Sequence, residues 1–265
     1  MTTINRMHMH KPRLSTNSVN KLTEDELTRL EKDIDNLAKS SWGKMHASFI
    51  RNILINAKTV ILAKEQKKLI GISIFSEKYI FNKSIYYGEL SLVHPEYQGN
   101  RISEKMSQKA ISRQLLKNIM RLKFNIEVLL ITPNARVLGM AANYASFMYP
   151  NPYDFDNCTK KMPLPDQQTF DIARELIKQS DKPERRIDKE ACVLNGSYSD
   201  CNWLIYNKYN KPTYRQKIVN DFAEHYLDYN KRKDKEFIVR TRFNVVSLLR
   251  FLVSFKNEKQ NNQTI

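Results

Sequence analysis

The stretch Leu90–Met106, LSLVHPEYQGNRISEKM, decides how this chain is read. Leu90, Leu92 and Val93 form a short apolar run that predicts a strand. A His-Pro-Glu-Tyr-Gln-Gly turn follows, and a long helix is expected to open over residues 100–103. The first N–H groups of a helix precede its hydrogen-bond ladder, and the helix dipole adds partial positive charge there. A strand, a tight glycine-containing turn and a helix N-terminus together predict an anion site, the place for a phosphate.

The spacing outward from this stretch predicts the neighbouring elements. Ile102, Met106, Ala110, Ile111, Leu115, Ile119 and Leu122 make the apolar stripe of a helix running to about residue 123. Arg101, Lys105, Lys109, Arg113, Lys117 and Arg121 recur every four residues as a slowly spiralling basic ridge. Residues 126–131, IEVLLI, read as a buried strand, and Pro133-Asn134 opens a helix through about Tyr144. Strand, helix, strand is a crossover, so the strands on either side should run parallel. Upstream, residues 59–63, 69–75 and 86–93 read as three strands joined by polar turns, an antiparallel meander. Before them stand two helices, the first announced by Thr23 and Glu26 at capping-box spacing, the second over about 44–56. Residues 1–20 are polar and aperiodic and read as a flexible arm. Residues 146–165 read as an irregular connection. Helices at about 167–179 and 217–230, strands at 202–206 and 237–243, and a terminal helix at 245–255 complete the chain.

Composition narrows the chemistry. The 265 residues are enough for a sizeable core. Six glycines, with neither GxxxxGK nor GxGxxG, exclude the glycine-rich phosphate loops. The net charge of +16 is uneven: residues 1–150 carry 23 Lys+Arg against 12 Asp+Glu, and residues 151–265 carry 21 against 16. Such an excess suits an anionic partner, and equally a biased composition that aids solubility. Cys158, Cys192 and Cys201 lack a paired spacing and read as free thiols, which with the absence of a signal-like or spanning segment suggests a cytoplasmic protein. Met7-His8-Met9-His10 alternates potential ligands in the arm without a supporting His or Cys, and no metal site is expected.

Over about residues 20–150 the chain resembles the GNAT superfamily of coenzyme A-dependent N-acyltransferases. The element order is similar, and Pro95-Glu96-Tyr97-Gln98-Gly99-Asn100-Arg101-Ile102-Ser103 resembles the family's Gln/Arg-x-x-Gly-x-Gly/Ala fingerprint. Gln98 fits its first position. Arg101 stands where the first motif glycine belongs, and Ser103 where Gly or Ala belongs. Helical geometry at Arg101 would keep the amide donors. Its guanidinium would then either add a charge-assisted bond to a phosphate or fill the site.

The resemblance implies a mixed, mostly antiparallel GNAT-like α/β sheet flanked by helices, with a long C-terminal elaboration. Residues 21–150 would form the acyl-CoA-binding core and residues 151–265 would shape the acceptor site. It implies acetyl-CoA or another acyl-CoA as co-substrate, held by Leu92, Val93, Gln98, Gly99, Asn100, Arg101, Ile102, Ser103 and Asn134, with the backbone at Leu92 and Val93 facing the pantetheine arm. It makes Glu89 the candidate general base and Tyr144 the candidate acid for the leaving thiolate, one turn beyond the position held here by Ala141, with Tyr149 and Tyr153 as weaker competitors. Structural alternatives stand beside these: an ordinary strand–helix turn for the motif, core residues for Leu92 and Val93, a solvated or salt-bridged Glu89, and an aromatic core or rim residue for Tyr144. The implied reaction is direct acyl transfer to an amine of an unidentified acceptor. Two alternatives stand beside it: transfer from an acyl carrier protein, and a non-catalytic protein of the same fold gripping nucleic acid or an acidic partner.

Overall fold

The computed structural model describes residues 12–17, 19, 22–41, 43, 45–163, 166–180, 183, 185–196, 211–229, 234–251 and 253. The expected strand at 202–206 and the Met7–His10 run lie outside them. The chain divides into two compact units, Met1–Phe75 with Leu90–Ala110, and Ser76–Glu89 with Ile111–Ile265. Three long elements contribute a segment to each: strand β3 (Lys68–Ile80), strand β4 (Lys83–Val93) and helix α3 (Ile102–Ile119).

In the first unit the strand order is β1 (Arg13–Asn17), β2 (Ala57–Glu65), β3, β4. The meander was legible, with strands longer than expected. Strand β1 corrects the reading of residues 13–17 as part of a loose arm: it pairs antiparallel with β2, from Arg13 opposite Lys64 to Asn17 opposite Val60. Helix α1 (Glu24–Ser41) begins at the expected capping box, with Thr23 N–H donating to Glu26 at 2.9 Å and Glu26 N–H to Thr23 Oγ1 at 3.3 Å. It buries Leu27, Leu30, Ile34 and Leu37, as their spacing requires. Helix α2 (Ala47–Ile55) follows. The start of α3 lies tightly on β3 because Gly71 has no side chain. A Cβ there would sit 3.2 Å from Ile102 and Met106 and 3.3 Å from the Leu92 carbonyl.

In the second unit the order is β3, β4, β5 (Asn125–Thr132), β9 (Lys235–Asn244), β8 (Val193–Asn195), β7 (Ile187–Asp188), with β6 (Phe147–Tyr149) also on β9. Phe81 and Asn82 turn β3 into β4, both at positive φ, which suits the right-handed twist of a two-residue hairpin. As the strand–helix–strand order requires, β4 and β5 are parallel, joined through α3. Their ladder comprises three pairs, Tyr86–Val128, Tyr87–Leu129 and Gly88–Leu130. Beyond Gly88, β4 runs on to Val93. β5 is instead paired along its whole length with β9, antiparallel, from Asn125–Asn244 to Thr132–Phe237. Helices α4 (Ala135–Tyr144), α5 (Gln167–Lys178) and α6 (Lys217–Leu227) complete this unit, with a helix α7 over residues 245–251. Its core gathers Leu129, Leu138, Phe155, Ile172, Phe222 and Phe237, the last two stacked at 4.8 Å.

Helix α3 ends at Ile119, four residues before the expected end. Leu122, expected on its buried stripe, is 81% exposed and left-handed.

A buried ion network ties β5, β9 and α5 together. Arg240, 2% exposed, donates to Glu127 at 2.6 Å and to Asp166 at 3.2 Å. Arg242 reaches the same Glu127 oxygen at 3.0 Å. Asp166 also caps α5 through Thr169 N–H. Burial works against the charge on Glu127, but the bonds and charges of Arg240 and Arg242 outweigh it and hold the carboxyl below its usual range. The network's contribution is therefore complete above the ordinary carboxylate range and lost as pH falls through the depressed value. Glu127→Gln should cost about 3 kcal/mol at neutral pH, because Arg240 loses a buried partner. It should also flatten the acid limb of the stability profile. Urea unfolding of both proteins between pH 3 and 7 measures this, and parallel acid limbs would count against it.

Candidate functional site

The quoted stretch folds as a strand end, a one-turn 3-10 helix over Pro95–Tyr97, and a short reversal into α3. The His94 N–H donates to the Ile70 carbonyl at 2.9 Å and holds the strand end against β3. The Val93 carbonyl accepts from Gln98 Nε2 at 3.2 Å and from Ser41 Oγ at 3.1 Å, so Gln98 braces the turn from within. Asn100 Nδ2 donates to the Tyr97 carbonyl at 3.2 Å. The Tyr97 hydroxyl is bonded to Glu65, which keeps its proton on and raises its pKa.

Two residues make the reversal. Gly99 has φ +84° and Arg101 φ +57°. Nothing lies within 4 Å of a Cβ built on Gly99, so its conformation, and not crowding, is what calls for glycine. Arg101 corrects the expectation of a helical residue. The helix begins at Ile102, and Arg101 is the left-handed residue before it, its carbonyl accepting the first intrahelical bond from Lys105 N–H at 2.9 Å. That conformation costs an L-residue about 1 kcal/mol.

The amides of Ile102 and Ser103 precede the ladder at an exposed turn. Ile102 itself is buried, as is Leu92, which belongs to the core, while Val93 is half-buried. Ser103, Ser91 and Ser73 form a row of hydroxyls at 2.9 Å spacings that fastens the first turn of α3 to β4 and β3. The Arg101 guanidinium lies along Glu104, its Nε 2.7 Å from Oε2 with a second contact through Nη2. Glu104 thus neutralises the arginine and places a carboxylate in the turn that would receive an anion. Gln108 also donates to Glu104, at 3.2 Å.

These residues, Leu92, Val93 and Gln98 to Ser103, lie together in the first unit. Glu89, Asn134 and Tyr144 belong to the second. There Glu89 Oε1 accepts from Ser76 Oγ at 2.5 Å and lies 3.3 Å from Lys78 Nζ, its side chain 12% exposed. Lys78 also stands over the ring of Tyr87, whose hydroxyl is pushed up by burial and by Glu89 and Glu236. Asn134 caps α4, its side chain accepting from Arg136 N–H at 2.9 Å. Tyr144 packs on Phe251 at 4.9 Å between ring centres. Of its competitors, Tyr149 is buried and donates to the Glu190 carbonyl at 2.6 Å, and Tyr153 donates to Asn143 at 3.2 Å.

Sequence reasoning passed over three residues here. Glu104 sits at i+3 from Arg101, a spacing that could have flagged the pair. Ser91 lies inside the quoted stretch. His94 stands at the end of β4 with a buried Nδ1 that has no hydrogen-bond partner among the described residues and lies 3.7 Å from Glu96. Among the described residues no cluster of His, Cys, Asp or Glu could hold a metal ion. Cys158 and Cys192 are free, the latter buried and its thiol pushed up to about 12 by that burial. Cys201 lies outside the described residues.

No family model and no curated protein matches the chain. Solved structures do. A GNAT-family acetyltransferase from Streptococcus pneumoniae is 13% identical, with 38% of this chain and 66% of that one covered, just under two thirds, at a TM-score of 0.30. A GNAT-family N-acetyltransferase from Escherichia coli, solved with CoA, is 12% identical over 50% of this chain and 72% of that one, TM-score 0.36. A GNAT-family acetyltransferase from Brucella melitensis, solved with acetyl-CoA, is 14% identical over 46% and 76%, TM-score 0.31. The strand order described above makes a mixed, mostly antiparallel sheet flanked by helices, with its parallel pair formed across α3.

If the backbone at residue 101 is strained as its φ indicates, Arg101→Gly should be more stable than Arg101→Ala by about 1 kcal/mol, since both lose the ion pair and only alanine keeps the Cβ. Urea unfolding of the two variants measures the difference. Equal midpoints would remove the strain.

Proposed function

We propose that the protein is an N-acyltransferase that moves an acyl group, in the first place acetyl, from a coenzyme A thioester to an amine. The observation that carries this reading is the exposed, left-handed reversal at Gly99 and Arg101. Helix α3 opens directly from it, its first amides ahead of the hydrogen-bond ladder, after a strand whose parallel ladder ends at Gly88. Those amides and the dipole behind them suit a diphosphate. The edge of β4 from Glu89 to Val93 offers extended backbone for an amide-containing arm such as pantetheine. In this reading Gln98 braces the turn and Asn134 stands near the cofactor.

Residues 21–150 would supply the acyl-CoA core and residues 151–265 the acceptor site. In the reaction an ammonium acceptor first loses a proton. Glu89, directly or through water, is the base for it. The amine then attacks the thioester carbonyl and the carbon–nitrogen bond forms; as the carbon–sulfur bond breaks, Tyr144 gives its proton to the thiolate, and the surplus proton on the nitrogen restores Tyr144 and leaves a neutral amide. Holding both substrates together supplies the proximity.

Glu104 makes this cradle less welcoming to an anion than amides alone. A melting-temperature series with acetyl-CoA, CoA and a carrier-protein thioester tests the proposal. Ligand at one hundred times its Kd should stabilise the fold by about 2.7 kcal/mol. Glu104→Gln should tighten CoA binding severalfold, because a like charge leaves the cradle. Stabilisation only by the carrier-protein thioester would move the donor to that class. No stabilisation by any thioester, together with salt-sensitive binding of nucleic acid, would replace the enzyme with a binding protein.

A further inference from the structure

The far end of α3 carries a feature that the acyl-transfer reading does not use. The helix ends in a Schellman arrangement: Leu122 N–H donates to the Ile119 carbonyl and Lys123 N–H to the Asn118 carbonyl, each at 2.9 Å. The left-handed residue of that motif is usually glycine. Here it is Leu122, at φ +59°. A leucine there costs the fold free energy, and at 81% exposure it returns no burial. Met120 and Phe124, on either side, are 77% and 56% exposed. Arg121 and Lys123 alternate with them and are exposed as well.

The turn leads into Asn125, the first residue of β5, which pairs with Asn244, the last of β9. The helix after β9 therefore starts from the same end of this strand pair. It turns Ser247 and Phe251 inward and leaves Val246, Leu249 and Val253 exposed at helical spacing. Arg250 is exposed beside them. Neither segment carries an acid: the sequence has no Asp or Glu from residue 105 to 126, nor from 237 to 257.

We propose that this end of the second unit is a docking surface for an anionic lipid bilayer. Cations that alternate with protruding apolar side chains match the two layers of such a surface: the headgroups take Arg121, Lys123 and Arg250, and the acyl boundary takes Met120, Leu122 and Phe124. A folded protein partner is a poorer occupant, since side chains that protrude this far lack the surrounding wall that makes a protein contact strong. No described helix is long and apolar enough to cross a membrane.

Co-sedimentation of the full chain with vesicles of phosphatidylcholine alone, and with phosphatidylglycerol added, tests this. Binding should be at least tenfold stronger to the anionic vesicles. It should fall about fivefold for each cation removed in Arg121→Gln and Lys123→Gln. Leu122→Gly separates a docking role from a folding one: it should raise the Tm by about 2 °C and yet weaken vesicle binding. In Phe124→Trp the added fluorescence should shift to the blue on anionic vesicles and be quenched by brominated acyl chains. Equal binding to both vesicle types, unchanged binding by Leu122→Gly, or an indole that stays in water would each overturn the proposal. So would concentration-dependent dimers in the absence of lipid that Leu122→Gly abolishes, which would assign the surface to a second copy of the chain. Binding of CoA is read separately, and neither result decides the other.

Discussion

The geometry of the candidate site depends on one backbone constraint: the chain must leave β4 and enter α3 within a few residues, and it does so through two left-handed positions. Gly99 takes the first without cost. Arg101 takes the second against its own side chain. The rest of the stretch supports this reversal. Gln98 reaches back to the Val93 carbonyl, Asn100 to the Tyr97 carbonyl, and the serine row holds the first turn of α3 to the sheet. Gly71 lets that turn lie close to β3. Without these braces the opening amides of α3 would have no fixed direction, and an anion site made of amides is useful only if the direction is fixed.

Arg101 and Glu104 bring more than bulk to the turn. The guanidinium and the carboxylate form an exposed pair, and such pairs contribute little to stability. Their larger effect is electrostatic. The turn carries a cation and an anion together, so a phosphate arriving there would meet the amides and the dipole rather than an uncompensated arginine. Lys109, from the same basic ridge, is bonded to the Leu14 carbonyl, so the ridge is in part structural.

Local patterns were well legible in the sequence. The capping box at Thr23 and Glu26, the stripe of α1 and the tight turns of the meander follow from residues only a few positions apart, the parallel crossover follows from the strand–helix–strand order, and each appears as expected. Strand β1 was not legible, because Arg13–Asn17 is short and polar and owes its form to β2, nearly fifty residues on. The long pairing of β9 with β5 was hidden for the same reason: IEVLLI reads as buried whatever lies beside it. At the candidate site, the turn and its residues could be read, but the handedness of Arg101 could not, since side-chain type alone would have placed it in the helix. Leu122 was misread in the same way: apolar spacing argued for burial, and the termination of the helix turned it outward.

The row Ser73, Ser91, Ser103 has a consequence for whatever occupies the turn. Three hydroxyls joined by two hydrogen bonds commit two protons and leave the third on Ser103, on Ser73 or, where both ends donate inward, on Ser91. Oriented toward α3, the row presents a spare donor at Ser103, beside the opening amides; oriented away, it presents that donor at Ser73. An electron-rich atom arriving near Ser103 would select the first arrangement and so flip polar hydrogens two strands away. Ser103 thus links the mouth of the helix to the interior of the sheet by a reversible dipole.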